Sequence, residues 1–169
     1  MNFGVSVIRA APASDALALR ELKLQTMLAG PLIATEGYSA PETVAVFKRA
    51  HALSNQVNDP TLMFPVLYQQ WVFNLINHTG ARIPETLRIA RQFLEMAEAQ
   101  QATLPKVIGH RITATSQYSL GEFAQARTGL ETAINYYDEE QHRDSTFEFG
   151  QNPKSASLAF LGTTLHILG

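Results

Sequence analysis

One stretch of the chain, Ser119 to Ile134, places small residues where two antiparallel helices would have to touch. Gly121 gives the backbone the freedom that a tight turn between helices needs. Ala126, Leu130 and Ala133 then recur at helical spacing along one face. This pattern predicts a helical hairpin, in which the first helix ends at the turn and the second begins just after it. Such hairpins bind partners far more often than they catalyse reactions.

Similar turn signals occur elsewhere in the chain, which indicates a repeat architecture. Gly37 and Gly80 are each followed, at the same offset, by Pro-Glu-Thr, at 41–43 and 84–86. Proline suits the first turn of a helix because its missing N–H would have no partner there, and glutamate beside it favours the positive helix start. Gly169 ends a further helical segment that contains a Leu-Gly pair at 161–162. The chain therefore reads as a series of hairpins.

The sequence predicts an all-α fold of about seven helices, arranged as antiparallel hairpins stacked in a right-handed solenoid. A single repeat domain is expected over residues 14–169, whereas residues 1–13 fit no repeat and are expected to form an arm or leader. Gly30-Pro31 predicts a kink or break in the first helix, because proline removes a backbone hydrogen bond. The helices are expected near 14–35, 41–56, 61–79, 83–101, 105–119, 123–138 and 153–168. The corresponding hairpins lie near 14–56, 61–101 and 105–138, with an unpaired last helix at 153–168.

Five short runs of the sequence stand out, namely Gly37-Tyr-Ser-Ala-Pro-Glu, Phe64-Pro-Val-Leu, Tyr118-Ser-Leu-Gly-Glu-Phe-Ala-Gln-Ala-Arg, Gln141-His-Arg and Phe149-Gly-Gln-Asn-Pro. Together these runs resemble a known family. The chain is similar, over roughly residues 15 to 169, to the tetratricopeptide-repeat (TPR) region at the C-terminal end of bacterial signalling ATPases of the STAND or AAA type, which often occur beside a class III nucleotidyl cyclase or a kinase domain. The chain has no ATPase, cyclase or kinase domain, so the resemblance implies the scaffold role alone.

Composition and motifs argue against several classes of function. The net charge of −2 and pI near 6.2 give no basic surface for nucleic acid. The absence of cysteine excludes disulfides and thiolate metal sites and fits the cytoplasm. No apolar run approaches the roughly 18 residues of a membrane helix, and the N-terminus lacks the basic start of a signal peptide. Neither a nucleophile elbow nor a phosphate-binding loop occurs. We expect a cytoplasmic protein that is not an enzyme and uses no cofactor.

The five histidines offer no recognisable metal site. None of them pairs with another at the i, i+4 spacing of a zinc-binding helix. A cation site in the loop after residue 138 would need His142 together with Asp138, Glu139, Asp144 and Glu148. A solvated acidic loop at a helix end is the expected alternative, so no metal is predicted.

Partner contacts are expected on the concave face of the solenoid, lined by first-helix residues that point away from the paired second helix. The candidates are polar and rich in amides, which suits pairing with a peptide backbone. Only Arg111 among them is cationic, which disfavours the clamp by which chaperone-binding TPR domains hold a C-terminal carboxylate. The candidates are Gln70, Asn74, Asn77, Arg111, Thr115, Tyr118, Thr163 and His166.

Two apolar sets complete the pattern. Phe64, Tyr68 and Trp71 fall on one face of the third helix and are expected in the core, because aromatic rings bury large areas. Leucines of the last helix lack an intramolecular partner, because the sequence stops at Gly169 where a second helix would begin. The expected result is a homodimer through that helix, or else the chain is a fragment of a longer protein. These leucines are Leu158, Leu161, Leu165 and Leu168.

Two classes of function remain after this reasoning. The first is a non-catalytic scaffold that binds a protein or peptide partner. The second is a module in which a pocket between hairpins binds a small-molecule effector and changes the curvature of the array. The polar residues of the concave face fit either class.

Overall fold

The computed structural model describes residues 3–54, 56–57, 60–76, 83–142, 149 and 151–169, and in this part of the chain it contains helices and no strand. The all-α prediction is confirmed. The described ranges contain these seven helices: α1 (Phe3–Glu36), α2 (Pro41–Ser54), α3 (Pro60–Ile76), α4 (Ile83–Ala99), α5 (Thr103–Ser119), α6 (Phe123–Tyr136) and α7 (Pro153–Leu168). The chain divides into two compact units, Met1–Val66 and Leu67–Gly169.

The first unit contains α1, α2 and the start of α3. Ala18 and Leu22 of α1 pack with Ala50 and Leu53 of α2 and with Val66, and this cluster forms the core of the unit. Across the same helix pair, the guanidinium of Arg49 donates two hydrogen bonds to the carboxylate of Glu21. Both side chains of this pair are substantially exposed, so the apolar cluster rather than the ion pair holds the unit together.

Helix α1 differs from the expectation at both ends. It begins at Phe3 rather than near residue 14, so the segment expected as an arm continues the helix. It also runs through Gly30 and Pro31 to Glu36, so the helix does not break there, and the alternative of a kink stays a prediction. Ala29, beside this pair, is buried. Packing on this side of the helix compensates the free-energy cost of the backbone hydrogen bond that proline cannot make.

The Pro-Glu-Thr motif occupies the same place in two helices. Pro41 is the first residue of α2, and Pro84 is the second residue of α4. Thr43 and Thr86, the last residues of the two copies, are both buried. Thr43 donates a hydrogen bond from Oγ1 to the carbonyl of Gly37 at 2.9 Å, which ties the helix start to the preceding turn. The motif is therefore a helix-start signal, as predicted.

In the second unit, successive helices pack against one another in chain order. Helix α5 packs on α4 and α6, α6 packs on α7, and α5 also contacts α7. Connections of only a few residues join α4 to α5 and α5 to α6, so these neighbours run antiparallel. The predicted spacing in α6 is confirmed, because Ala126, Leu130 and Ala133 are all fully buried.

Two glycines set the separation of these helices. A Cβ built on Gly109 of α5 would lie 3.0 Å from Cα of Leu94 in α4. A Cβ built on Gly129 of α6 would lie 2.9 Å from the Cβ of Ala114 in α5. The contact at Gly129 is shorter than real Cβ atoms make, and the one at Gly109 is tighter than most of them, so a side chain at either position would push the neighbouring helix away.

The two turns of this unit share one hydrogen-bond pattern. After α5, the N–H of Gly121 bonds to the carbonyl of Tyr118 and that of Glu122 to the carbonyl of Gln117. After α4, the N–H of Gln101 bonds to Glu98 and that of Ala102 to Ala97. Both are Schellman caps, which need a left-handed residue after the helix. Gly121 has φ of +80° and Gly37, at the end of α1, has φ of +86°, as turn glycines require. Gly80 lies outside the described residues.

Gln101 occupies the position of Gly121 without being glycine, and its φ is +54°. Its side chain gives partial compensation, because Nε2 donates to the carbonyl of Glu98 and Oε1 accepts from Lys106. Both contacts are exposed to solvent and therefore weak. The α4–α5 turn keeps some backbone strain that the α5–α6 turn avoids.

The two equivalent caps give a matched pair of substitutions. Gly121→Ala is expected to destabilise the protein by about 1–2 kcal/mol, because an L-residue must adopt the left-handed region. Gln101→Gly is expected to stabilise it by up to about 1 kcal/mol for the same reason. Chemical denaturation of the two variants and the wild type measures both free energies of unfolding. Equal effects of the two changes, or effects of the same sign, would contradict the assignment of the caps.

Candidate functional site

The eight residues expected on an open concave face do not share one environment. Arg111 is 1% exposed and Thr115 is fully buried, so their placement on a solvent-facing groove is wrong. The physical reason is that α5 is covered by α4, α6 and α7, which leaves little of its surface for solvent. Tyr118 is half-buried, with its ring edge-on to those of Phe123 and Phe160 at centroid distances of 5.5 and 5.6 Å.

The remaining candidates lie on α3 and α7. Gln70 and Asn74 are half-buried on α3, where Asn74 donates a hydrogen bond from Nδ2 to the carbonyl of Gln70 at 2.9 Å. Asn77 lies outside the described residues. Thr163 and His166 are exposed on α7, and Thr163 donates a hydrogen bond to the carbonyl of Phe160 at 2.9 Å. Of the seven candidates that the structure describes, these two alone lie on one exposed helix surface.

Arg111 is instead the centre of a buried cluster. Tyr68 and Trp71 of α3 place their rings against its guanidinium, each with a centroid 5.6 Å from Cζ. Arg111 donates a hydrogen bond from Nη2 to the hydroxyl of Tyr68 at 3.0 Å, and Gln151 donates to the same hydroxyl at 3.1 Å. The ring of Phe149 meets that of Tyr68 edge-on at 5.1 Å. We call these five residues the Arg111 cluster.

The aromatic part of this cluster was predicted, and the cation was not. Phe64, Tyr68 and Trp71 are 5%, 3% and 2% exposed, which confirms the expected core stripe. Trp71 donates a hydrogen bond from Nε1 to Ser116 of α5 at 2.9 Å, so the stripe joins α3 to α5. The available signal was the composition of α5, in which small and apolar residues surround Arg111 on every side, a pattern typical of a central helix.

A second candidate surface is the outward side of α7. This helix buries small or polar residues, namely Pro153, Ser157 and Thr164, while four of its large apolar side chains are exposed. Leu158, Leu165 and Leu168 are exposed by 50%, 40% and 45%, which agrees with the prediction that they have no cover within the chain, and Leu161 is half-buried. Ile167, which the sequence reasoning missed, is 48% exposed. Ile167 lies about half a turn around the helix from Leu158, so we call Leu158, Leu161, Leu165 and Leu168 the α7 face.

Gly162 lies in the middle of α7, and its environment differs from that of the other helix glycines of the unit. Gly109 and Gly129 each receive a neighbouring helix at a distance that excludes a Cβ. A Cβ built on Gly162 would find nothing within 4 Å. Ala159 and Thr163, adjacent to it, are exposed as well. The centre of α7 therefore presents a shallow depression between its leucines.

A third surface is a groove of about 500 Å³ beside α4. It combines an apolar floor with exposed charged side chains. One of these, Arg88, donates a hydrogen bond from Nε to the carboxylate of Glu85 at 2.8 Å. Leu120, at the corner between α5 and α6, is 37% exposed at its edge. The groove is lined by Pro84, Leu87, Arg88, Arg91, Gln92, Glu95 and Leu120.

His142 is part of the packing and not of a solvated loop. It is 3% exposed, its Nδ1 accepts a hydrogen bond from the backbone N–H of Asp138 at 3.0 Å, and its Nε2 lies 3.3 Å from Oγ1 of Thr103. An accepting Nδ1 carries no proton, so Nε2 bears it. Asp144 and Glu148 lie outside the described residues. Within the described ranges, no three side chains of metal-ligating type come together.

Burial lowers the pKa of His142, and the carboxylate of Asp138 offsets only part of this effect. Burial also lowers the pKa of His110, whose ring stacks on that of Tyr136 at 5.6 Å; the carboxylate of Glu98 opposes this shift. Folding thus favours the neutral form of both imidazoles. Protonation of His142 at Nδ1 would also break its hydrogen bond from Asp138.

Acidification is expected to destabilise the protein through these two histidines. Their folded-state pKa lies below the unfolded value of about 6.5. Their contribution to stability is therefore complete above about pH 6.5 and is lost as the pH falls through the folded pKa. Thermal unfolding between about pH 8 and about pH 5 measures the loss. His142→Gln should reduce it, whereas the control His166→Gln, at an exposed site, should not. An unchanged pH profile in His142→Gln would contradict this role.

Comparison of the chain with protein-family models, with curated proteins and with solved structures found no match in any of the three. The resemblance to the repeat region of signalling ATPases therefore stays a prediction. None of the helices in the described ranges is both long and apolar enough to cross a membrane. The Arg111 cluster and the α7 face are the two features of the structure that bear on function.

Proposed function

We propose that the chain is a non-catalytic protein-interaction module of TPR type, built from stacked helical hairpins and acting as a scaffold in the cytoplasm. The repeated Pro-Glu-Thr helix start and the left-handed glycines at two turns support a hairpin repeat. A right-handed solenoid, like that of the regulatory arm of a signalling ATPase or cyclase, is the arrangement we propose for the repeats. Its partner is a protein and neither nucleic acid nor a membrane.

The observation that carries this proposal is the reversed polarity of α7. A surface helix of a globular protein normally buries its apolar side and exposes its polar side. Helix α7 buries Ser157 and Thr164 and exposes leucine and isoleucine. Burying a leucine contributes roughly 1.5–3 kcal/mol, so an exposed row of such residues favours association. Contiguous exposed apolar patches of this kind mark interaction sites.

A second copy of the same chain is the partner we propose for the α7 face. In a symmetric dimer the same surface meets itself, so any charge on it would face an equal charge. Helix α7 has no Asp, Glu, Lys or Arg after Lys154, and Lys154 lies at the first turn, near Glu139 at 3.6 Å. The α7 face can therefore pair with its own copy without repulsion between like charges.

Gly162 marks the point at which the helix of the second copy would cross α7. The unit already packs helices through glycines, since Gly109 receives Leu94 and Gly129 receives Ala114. Gly162 is open in the single chain, and small residues flank it. A helix of the second copy seated across Gly162 would bring the leucines on both sides into contact.

The first test is the mass of the particle in solution. Size-exclusion chromatography with multi-angle light scattering at micromolar concentration is expected to give a dimer. Leu165→Glu should yield a monomer, because it places two charges in the apolar interface. Leu24→Glu is the matched control, since Leu24 is 60% exposed on α1, and this variant should stay dimeric. A wild-type monomer, or equal effects of the two variants, would contradict the proposed interface.

The second test compares the effect of Gly162→Ala on the stability of the chain with its effect on dimerisation. In an isolated exposed helix, Gly162→Ala is expected to stabilise by about 1 kcal/mol, because alanine has the higher helix propensity. If a second helix packs on Gly162, the added methyl group obstructs it and weakens dimerisation. We expect a raised melting temperature in dilute protein together with a larger dimer dissociation constant, measured by sedimentation. Dimerisation unchanged by this substitution would place the contact elsewhere.

Effector sensing is the second candidate function, and a different observation favours it. The Arg111 cluster holds a cation inside the second unit at a point where α3 meets α5. A ligand bound there would contact two helices at once. Such a ligand would alter the packing between them.

A further inference from the structure

Arg111 is a buried cation that has no anionic partner in the described part of the chain. The described ion pairs join Arg49 to Glu21, Arg88 to Glu85, Arg127 to Glu131 and Lys154 to Glu139. Arg111 is 1% exposed, so water does not solvate its charge as it does at the surface. Burying a charge is costly unless the charge is paired. The rings of Tyr68 and Trp71 compensate only part of this cost.

The hydrogen bonds of the cluster leave donors without acceptors. The hydroxyl oxygen of Tyr68 accepts from both Arg111 and Gln151, so its own hydrogen is left to donate. Nε of Arg111 is buried and has no hydrogen-bond partner. Oγ1 of Thr115, one turn further along the same side of α5, is likewise buried and unpartnered. Buried polar groups are satisfied in nearly all native proteins, so each of these requires a partner.

The unsatisfied groups of the cluster can all donate hydrogen bonds, so the missing partner is a hydrogen-bond acceptor. Nε of Arg111 can only donate, and the hydroxyls of Tyr68 and Thr115 each have a hydrogen to give. Trp71 is already satisfied, because its Nε1 donates to Ser116. A group that accepts several hydrogen bonds and carries one negative charge would satisfy both the donors and the guanidinium.

We infer that Arg111, with Tyr68 and Thr115, binds a small monovalent anion, either a carboxylate group or a halide. One cation within aromatic walls favours a single negative charge, because a second charge would remain uncompensated. The near-complete burial of Arg111 favours a small ion. The inference specifies the ligand of the effector-sensing candidate and is independent of the α7 face, so its failure leaves the proposed dimer standing.

Trp71 makes the site directly observable, because it is the sole tryptophan of the chain and its ring lies against Arg111. The experiment titrates the full chain with sodium acetate, sodium chloride or sodium sulfate at constant ionic strength and follows tryptophan emission. Acetate or chloride should give a saturable change, and whichever binds more tightly identifies the ligand as carboxylate or halide. Sulfate, a dianion at neutral pH, should give none. A response that is identical for all three salts, or that never saturates, would overturn the inference.

Tyr68→Phe is the informative variant because it keeps the ring and removes the hydroxyl. The anion dissociation constant should rise by about tenfold, a typical value for the loss of one hydrogen bond to a charged group. Tyr136→Phe, at an exposed ring outside the cluster, is the matched control and should bind as the wild type does. Equal binding by Tyr68→Phe and wild type would overturn the assignment.

Thermal unfolding separates a binding role from a structural one. In the wild type the melting temperature should rise with the logarithm of anion concentration, because the ligand binds the folded state. Arg111→Met should abolish this rise while unfolding, in anion-poor buffer, at a temperature no lower than the wild type. An Arg111→Met protein that unfolds at a much lower temperature in every buffer would show that the arginine only supports packing, and would overturn the inference.

One alternative partner belongs to the chain itself. Asp144 and Glu148 lie outside the described residues, and either carboxylate would neutralise Arg111 without a ligand. The double variant Asp144→Asn, Glu148→Gln tests this. If the wild type shows no anion response and the double variant acquires one, the guanidinium is paired internally and the inference is wrong. If both respond equally, the anion comes from solution.

Discussion

The packing of the second unit depends on two contacts in which a helix has no room for a side chain. Gly109 lies against Leu94, and Gly129 lies against Ala114, at distances that a Cβ would make too short. These contacts bring α4, α5 and α6 close together, so that α5 is covered from both sides. Helices that pack closely in this way exchange more dispersion contacts per residue, which offsets the weak helix propensity of glycine.

The burial of α5 leads to both candidate sites. Since α5 is covered by its neighbours, Arg111 cannot reach solvent, and it meets Tyr68 and Trp71 of α3 instead. At the end of the series, α7 uses small and polar residues against α6, and this leaves its leucines outside. The same packing rule therefore gives an enclosed cation at the centre of the unit and an uncharged apolar surface at its edge. The two features are suited to different ligands, a small anion and a second helix.

Most of the secondary structure could be predicted because local chemistry determines it. The face formed by Ala126, Leu130 and Ala133 follows from helical spacing, and the turn at Gly121 follows from the need for a left-handed residue. The sequence did not reveal that Gln101 takes the same backbone conformation, because only glycine adopts the left-handed region readily enough to be recognised as a turn residue. It also did not reveal the burial of Arg111, which depends on how many neighbours cover α5. Periodicity identifies one apolar face, but a helix covered on several sides has no single face to detect.

The central claim is that α7 carries a surface that a second copy covers, and amide hydrogen exchange at different protein concentrations tests it most directly. Peptides from α7 should exchange more slowly as the concentration rises, because dimerisation protects them. Peptides from α5, whose protection comes from packing within one chain, should exchange at a rate that does not depend on concentration. Exchange in α7 that stays the same at every concentration would contradict the account.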